Sequence, residues 1–225
     1  MTLVSILLVG FMLGIKHATE ADHLAAVSTV ATGQSSFGQI VRHGVAWGVG
    51  HTLTLLLLGG VVLALGSSIP NQAAQALEFA VGLMLVVLGA DVLRRLVRRR
   101  IQVLDGAFEI GLAHAQPVGG ARKPPLRALA IGMMHGMAGS AALILLSLNA
   151  VQSLHVGLAY IAVFGAGSIV GMAVLSVLIA IPLRLSARYF ERLHDGMTAF
   201  IGIATCVLGG TVMYSIGTMQ DFFPG

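Results

Sequence analysis

Gly14-Ile-Lys16-His17-Ala-Thr-Glu20-Ala-Asp22-His23 is the stretch from which the rest of the chain can be read. Five ionisable side chains fall within the eight residues from Lys16 to His23, yet the flanking sequence, Leu3 to Leu13 before and Leu24 to Ala31 after, is apolar or small. A charged group at bilayer depth costs on the order of 2.5 to 3.5 kcal/mol on insertion scales, so a chain that keeps several together uses them. The cluster marks a functional site inside a membrane span.

Composition supports the membrane setting. The 225 residues are 56% hydrophobic and 10% charged, with a mean hydropathy of +0.91, far outside the range of soluble domains. A formal net charge of +4 would suit nucleic acid. The basic residues, however, sit in short clusters beside apolar runs, the pattern of cytoplasmic loops, which excludes nucleic acid as a partner. The single cysteine, Cys206, can form neither an intramolecular disulfide nor a two-thiol relay. No basic residue precedes Leu3 to Leu13, and charge follows it where a cleavage region would lie, so this run reads as a retained helix rather than a signal peptide.

Six apolar segments reach the roughly 20 residues needed to span the hydrocarbon core: Leu3 to Ala31, Val45 to Leu65, Ala73 to Leu96, Leu126 to Val151, Val156 to Leu183 and Met197 to Met219. Twelve of the thirteen basic residues fall in the connections after the first, third and fifth segments or at the segment ends that border them, Lys16 being the exception. By the positive-inside rule those connections are cytoplasmic and both termini lie outside. The expected fold is an all-α polytopic membrane protein with six transmembrane helices: a first three-helix half over residues 1–97, a basic, flexible cytoplasmic loop over 98–125, and a second three-helix half over 126–225.

The halves resemble each other. Gly14-Ile-Lys-His17 aligns with Gly132-Met-Met-His135, Gly44-Val-Ala-Trp47 with Gly157-Leu-Ala-Tyr160, and Val87-Leu-Gly-Ala90 with Val207-Leu-Gly-Gly210, at offsets of 118, 113 and 120 residues. With three spans each, the halves enter the membrane from opposite sides, an inverted repeat of the kind common in secondary transporters. Glycine pairs at four-residue spacing, such as Gly132 and Gly136 or Gly167 and Gly171, offer small faces for close helix packing.

At about 100° per residue, His17, Glu20 and His23 share one broad face of a straight helix while Asp22 points elsewhere. Either the helix is unwound locally or Asp22 orients an imidazole from behind. Lys16 and Glu20, four apart, have the spacing to pair with each other. His51 and His135 lie inside the second and fourth spans at a depth of roughly 12 to 14 Å, near the level of His17. Imidazoles on three helices with a carboxylate suit a divalent transition metal. The expected metal residues are His17, Asp22, His23, His51 and His135, with Glu20, Lys16, Thr52 and Ser140 supporting them. His43, His114, His155 and His194, at predicted ends or loops, are expected to be solvated or interfacial. No nucleophile elbow, phosphate loop or His-Glu-x-x-His pair is present, so the chain is not read as an enzyme.

The His17-x4-Asp22-His23 spacing resembles the signature of the nickel/cobalt transporter family, and Val49-Gly50-His51-Thr52-Leu-Thr54 resembles that family's second motif. The chain is similar to its short urease- or hydrogenase-linked membrane relatives. It departs from better-known members, which carry an Asp-Thr pair where this chain has His135-Gly-Met-Ala-Gly-Ser140. The resemblance implies secondary transport of Ni²⁺ or Co²⁺ across the cytoplasmic (inner) membrane, with the metal as substrate and no resident cofactor; import is favoured because the sequence carries no His-rich cytoplasmic segment, and membrane lipid and a cytoplasmic metallochaperone are the expected partners. The alternatives are a non-transporting accessory protein for metalloenzyme maturation and a transporter of a different small solute. A related membrane family shuttles electrons through paired cysteines, a role that one cysteine cannot support.

Overall fold

Backbone amides in hydrocarbon must be paired within their own segment, so the apolar runs fold as helices. The computed structural model describes residues 3–32, 36–66, 70–108, 125–138 and 154–218. Seven helices follow one another: α1 (Leu3–His17), α2 (Ala21–Ala31), α3 (Phe37–Leu65), α4 (Asn71–Phe108), α5 (Leu126–Ala138), α6 (Leu154–Tyr189) and α7 (Glu191–Gly217). No strand occurs among the described residues. Helices α3, α4, α6 and α7 are long and apolar enough to cross a membrane, and α1 with α2, bent by 57° at a short break, makes a fifth, broken span. The span expected over Leu126 to Val151 is helical to Ala138, and its remainder lies outside the described residues.

Several boundaries differ from the hydropathy reading. Helix α4 continues to Phe108, so Arg98, Arg99 and Arg100 lie on a helix rather than in a flexible loop; residues 109–124 lie outside the described residues. The polar helix end is held by ion pairs to α7, Arg100 to Asp195 at 2.5 Å and Arg99 to Glu191 at 3.7 Å. Helix α3 starts at Phe37, ahead of the apolar run, because the Ser36 side chain caps it by accepting from the Gln39 amide. It stops at Gly66, whose φ of 60° is the left-handed conformation that closes a helix.

Glycine contacts fix the helix directions. A Cβ at Gly14 would strike the Phe164 carbonyl, and one at Gly167 the Phe11 carbonyl, so the backbones of α1 and α6 touch, and the contacts of Gly10 with Tyr160 and of Gly171 with Ala18 on either side show that the two helices run parallel. Likewise a Cβ at Gly132 would strike the Trp47 carbonyl and one at Gly50 the Leu129 carbonyl, and because Gly136 meets the His51 carbonyl one turn further along both helices, α3 and α5 run parallel. Helices α3 and α6 are antiparallel, Gly44 facing Ser176 and Gly60 facing Leu158. So are α4 and α7, where Gly82 meets Gly209 and Gly89 meets Gly202. It follows that α1 points opposite to α5, and that the arginines of α3 to α7 gather at one end of the bundle.

These contacts correct the middle of the proposed repeat. The α1–α6 contact recurs in α5–α3 with Phe11, Gly14 and Ile15 replaced by Leu129, Gly132 and Met133, an offset of 118, and with Phe164 and Gly167 replaced by Trp47 and Gly50, an offset of 117. Trp47 therefore corresponds to Phe164 and not to Tyr160. The sequence match was one helical turn out, an error that keeps the same helix face and so is invisible to pattern. Where backbones touch, only glycine fits, and that requirement sets the register.

Candidate metal-binding site

The polar stretch breaks the first span. Helix α1 ends at His17, the Lys16 carbonyl accepting from both the Thr19 amide (2.9 Å) and its hydroxyl (2.6 Å). Such local bonds give the backbone an alternative to continuing the helix. Glu20 adopts an extended backbone, φ −64° and ψ 151°, and α2 begins at Ala21. The sequence posed local unwinding and a supporting role for Asp22 as alternatives; the geometry contains both. Unwinding within the bundle turns Asp22 and His23 toward the same interior as His17. His51 faces them from the midpoint of α3, deeper in its helix than expected because α3 starts at Phe37, and His135 from the last turn of α5.

Four imidazoles stand together. Ring centroids are 4.4 Å apart for His17 and His23, 5.2 Å for His17 and His51, 5.2 Å for His23 and His51, and 4.1 Å for His23 and His135. His23, His51 and His135 are buried, with 1%, 0% and 1% of their surface exposed. Potential ligand atoms of His17, His23 and His51 lie within 4.8 Å of one another, as do those of Asp22, His23 and His135. His23 belongs to both trios.

Asp22 decides where the ring protons sit. Its carboxylate lies 2.9 Å from His23 Nδ1 and 2.8 Å from His135 Nε2. A carboxylate only accepts, so both of those nitrogens donate, leaving His23 Nε2 and His135 Nδ1 without a proton in the neutral rings. Glu20 does the same for His17, its carboxylate 3.0 Å from Nδ1. His17 Nε2, His23 Nε2, His135 Nδ1 and both nitrogens of His51 are buried with no hydrogen-bond partner. Leaving such groups unsatisfied costs roughly 1 to 3 kcal/mol each, so their convergence points to a ligand that fills them. Borderline nitrogen donors backed by carboxylates are the donor set of nickel, cobalt, zinc or copper.

Of the residues expected to support the site, Glu20 pairs with His17 rather than with Lys16. Lys16 is exposed, so the expected Lys16–Glu20 pairing gives way because Glu20 is the N-cap of α2 and faces back along α1. Thr52 is buried and its hydroxyl donates to the Gly165 carbonyl at 3.1 Å, tying α3 to α6. Ser140 lies outside the described residues. Two wall residues escaped the sequence reading. Trp47, fully buried, stacks near His23 at 6.3 Å and lies 5.8 Å from His135; Phe164 lies 5.4 Å from His17. The available signal was that the chain's one tryptophan precedes His51 by one turn.

Comparison with known proteins fits this picture. The family model described as cytochrome C biogenesis protein transmembrane region matches residues 5–204. The urease accessory protein UreH of Bacillus sp. (strain TB-90) is 37% identical over 98% of this chain and 96% of its own length. The chloroplast protein FOR GROWTH AND FERTILITY 1 of Arabidopsis thaliana is 27% identical over 72% of this chain and 46% of its own. No solved structure matches. The apolar helices and these matches make the chain a multi-pass membrane protein.

Proposed function

This chain belongs to the family described as cytochrome C biogenesis protein transmembrane region, and from that premise we propose that it is a carrier, not an enzyme, that moves Ni²⁺ or Co²⁺ through the membrane. The observation that carries the reading is the convergence of buried, partnerless ring nitrogens from His17, His23 and His51. The resemblance of His17-x4-Asp22-His23 to the nickel/cobalt transporters supports it, as does the full-length relationship to a urease accessory protein. Metal ligation through these rings would exchange the hydration shell of the ion for imidazole nitrogen, with Asp22 and Glu20 balancing its charge.

The packing pattern supports an inverted repeat of two halves, the reading that takes Leu126 to Val151 as one of six spans. A site at a broken helix between such halves is where secondary transporters hold substrate. The basic end of the bundle is assigned to the cytoplasm, both termini to the outside, and import to the direction. A metallochaperone at the basic end would receive the ion.

Uptake of Ni²⁺ and Co²⁺ into proteoliposomes tests this. Wild type is expected to accumulate metal and His17→Ala and His51→Ala to do so at background rates. Equal uptake by all three would end the reading. The name of the Bacillus relative favours one second reading, an accessory protein that holds metal without transporting it; it predicts Co²⁺ binding by the purified protein with no uptake.

A further inference from the structure

Four arginines at the basic end have acidic partners: Arg95 and Arg127 pair with Asp91, Arg99 with Glu191 and Arg100 with Asp195. Arg184 and Arg188, one turn apart on α6, are exposed and have no carboxylate within ion-pairing distance among the described residues. Arg184 follows directly on the apolar run that ends at Leu183. The pair therefore stands where hydrocarbon gives way to lipid headgroups.

Two cavities meet at this pair. One, of about 590 Å³, lies between α6 and the start of α3 and is lined by Phe37, Ile181, Arg184, Leu185, Arg188 and Tyr189. The other, of about 320 Å³, adds Thr32 at the end of α2 and His194 on α7 around the same two arginines. None of the described residues lining either cavity is acidic. Ile181, Arg184, Leu185 and Arg188 recur at i, i+3, i+4 and i+7 and so share one face of α6. Away from the basic end that face continues through Leu178 and Val174, both more than half exposed. Phe37 is the first residue of α3, where first-turn amides lack helical partners and the helix dipole is positive. The groove is cationic at its upper end and apolar below.

We propose that this groove holds one anionic glycerophospholipid, its phosphate between Arg184 and Arg188 and an acyl chain along Leu185, Ile181 and Leu178. Charge complementarity selects the occupant. A phosphodiester with no ammonium of its own matches two unpaired guanidiniums, whose N–H donors grip phosphate oxygens in pairs. The apolar track below them buries a chain that a soluble phosphate ester does not carry. Seated there, the lipid clamps the start of α3, the helix that carries His51, to the end of α6. The proposal is independent of what the buried histidines bind.

Native mass spectrometry of the full-length protein, taken as monodisperse fractions in detergent and titrated with phosphatidylglycerol or phosphatidylcholine, tests it. Wild type is expected to retain a single phosphatidylglycerol about tenfold more tightly than phosphatidylcholine. Replacing both arginines, Arg184→Gln with Arg188→Gln, should weaken phosphatidylglycerol roughly 30-fold, about what two basic residues contribute at an anionic membrane surface. Arg98→Gln with Arg192→Gln removes the same charge from exposed positions outside both cavities and should leave the affinity unchanged. Leu185→Trp keeps both guanidiniums, fills the groove and should also weaken phosphatidylglycerol. Equal retention of the two lipids, equal losses in the two double variants, or an unchanged affinity in Leu185→Trp overturns the site. Displacement of the lipid by glycerol 3-phosphate at matched concentration overturns the lipid as its occupant.

Discussion

Helix pairs α1–α6 and α3–α5 are built alike and used differently. Each brings a glycine of one helix against the backbone of the other, at equivalent positions and in the same direction. The same register makes His51 of α3 the counterpart of Ser168 of α6. His51 turns two partnerless ring nitrogens into the bundle, whereas the Ser168 hydroxyl donates to the Gly14 carbonyl at 3.2 Å. Both side chains are fully buried. The scaffold is repeated and the chemistry is not. Close backbone packing fixes where a side chain points, and the residue type at that point then decides between a structural hydrogen bond and a nitrogen donor left without a partner.

The strongest way to break the comparison is to attack the shared packing. Gly14→Val and Gly132→Val should each abolish monodisperse protein on size-exclusion chromatography in detergent, because a side chain pressed on backbone cannot be relieved by a rotamer change and costs about 3 kcal/mol or more. If only one of the two fails, the pairs are not equivalent. Next comes the chemical asymmetry. His51→Ala should weaken Co²⁺ binding by about 100-fold or more, since it removes a donor outright. Ser168→Ala should leave the Co²⁺ Kd unchanged and lower the thermal midpoint slightly, in line with roughly 1 kcal/mol for one hydrogen bond.

Asp22→Asn sharpens the comparison from the other side. The amide keeps the shape but cannot accept from two imidazoles with both of its polar atoms, so the fixed ring orientations are lost. Co²⁺ affinity should fall about 10- to 100-fold, the range for residues that orient metal ligands, with the cobalt spectrum altered rather than absent. The smallest effect is expected far from both pairs. Arg100→Ala removes the contact to the buried Asp195, but 55% of the arginine side chain is exposed and Arg99 lies 4.0 Å from the same carboxylate, so stability should fall by only about 1 kcal/mol in a thermal melt.

Much of this was legible in one dimension. The apolar runs declared a helical membrane protein, and the density of ionisable groups from Lys16 to His23 marked the stretch at which the first span breaks. His51 and His135 could be picked out because an imidazole in an apolar span is conspicuous. Helix ends were less legible. Hydropathy ends α4 where the arginines begin, yet partners on α7 let it continue to Phe108. The walls of the site were hidden as well, since Trp47 and Phe164 look like ordinary core residues until the helices are placed.

By itself, the sequence determined the all-helical class, the membrane setting and the identity of the polar residues, because each follows from transfer costs and donor chemistry that a residue carries with it. Only the tertiary structure decided that Asp22 bridges His23 and His135, that Glu20 serves His17 rather than Lys16, and that Trp47 corresponds to Phe164. Those facts depend on where a helix breaks and on how closely two backbones approach. Neither is a property of a residue type: the break is made by local backbone bonds around Lys16 and Thr19, and the close approach by helices from distant parts of the chain.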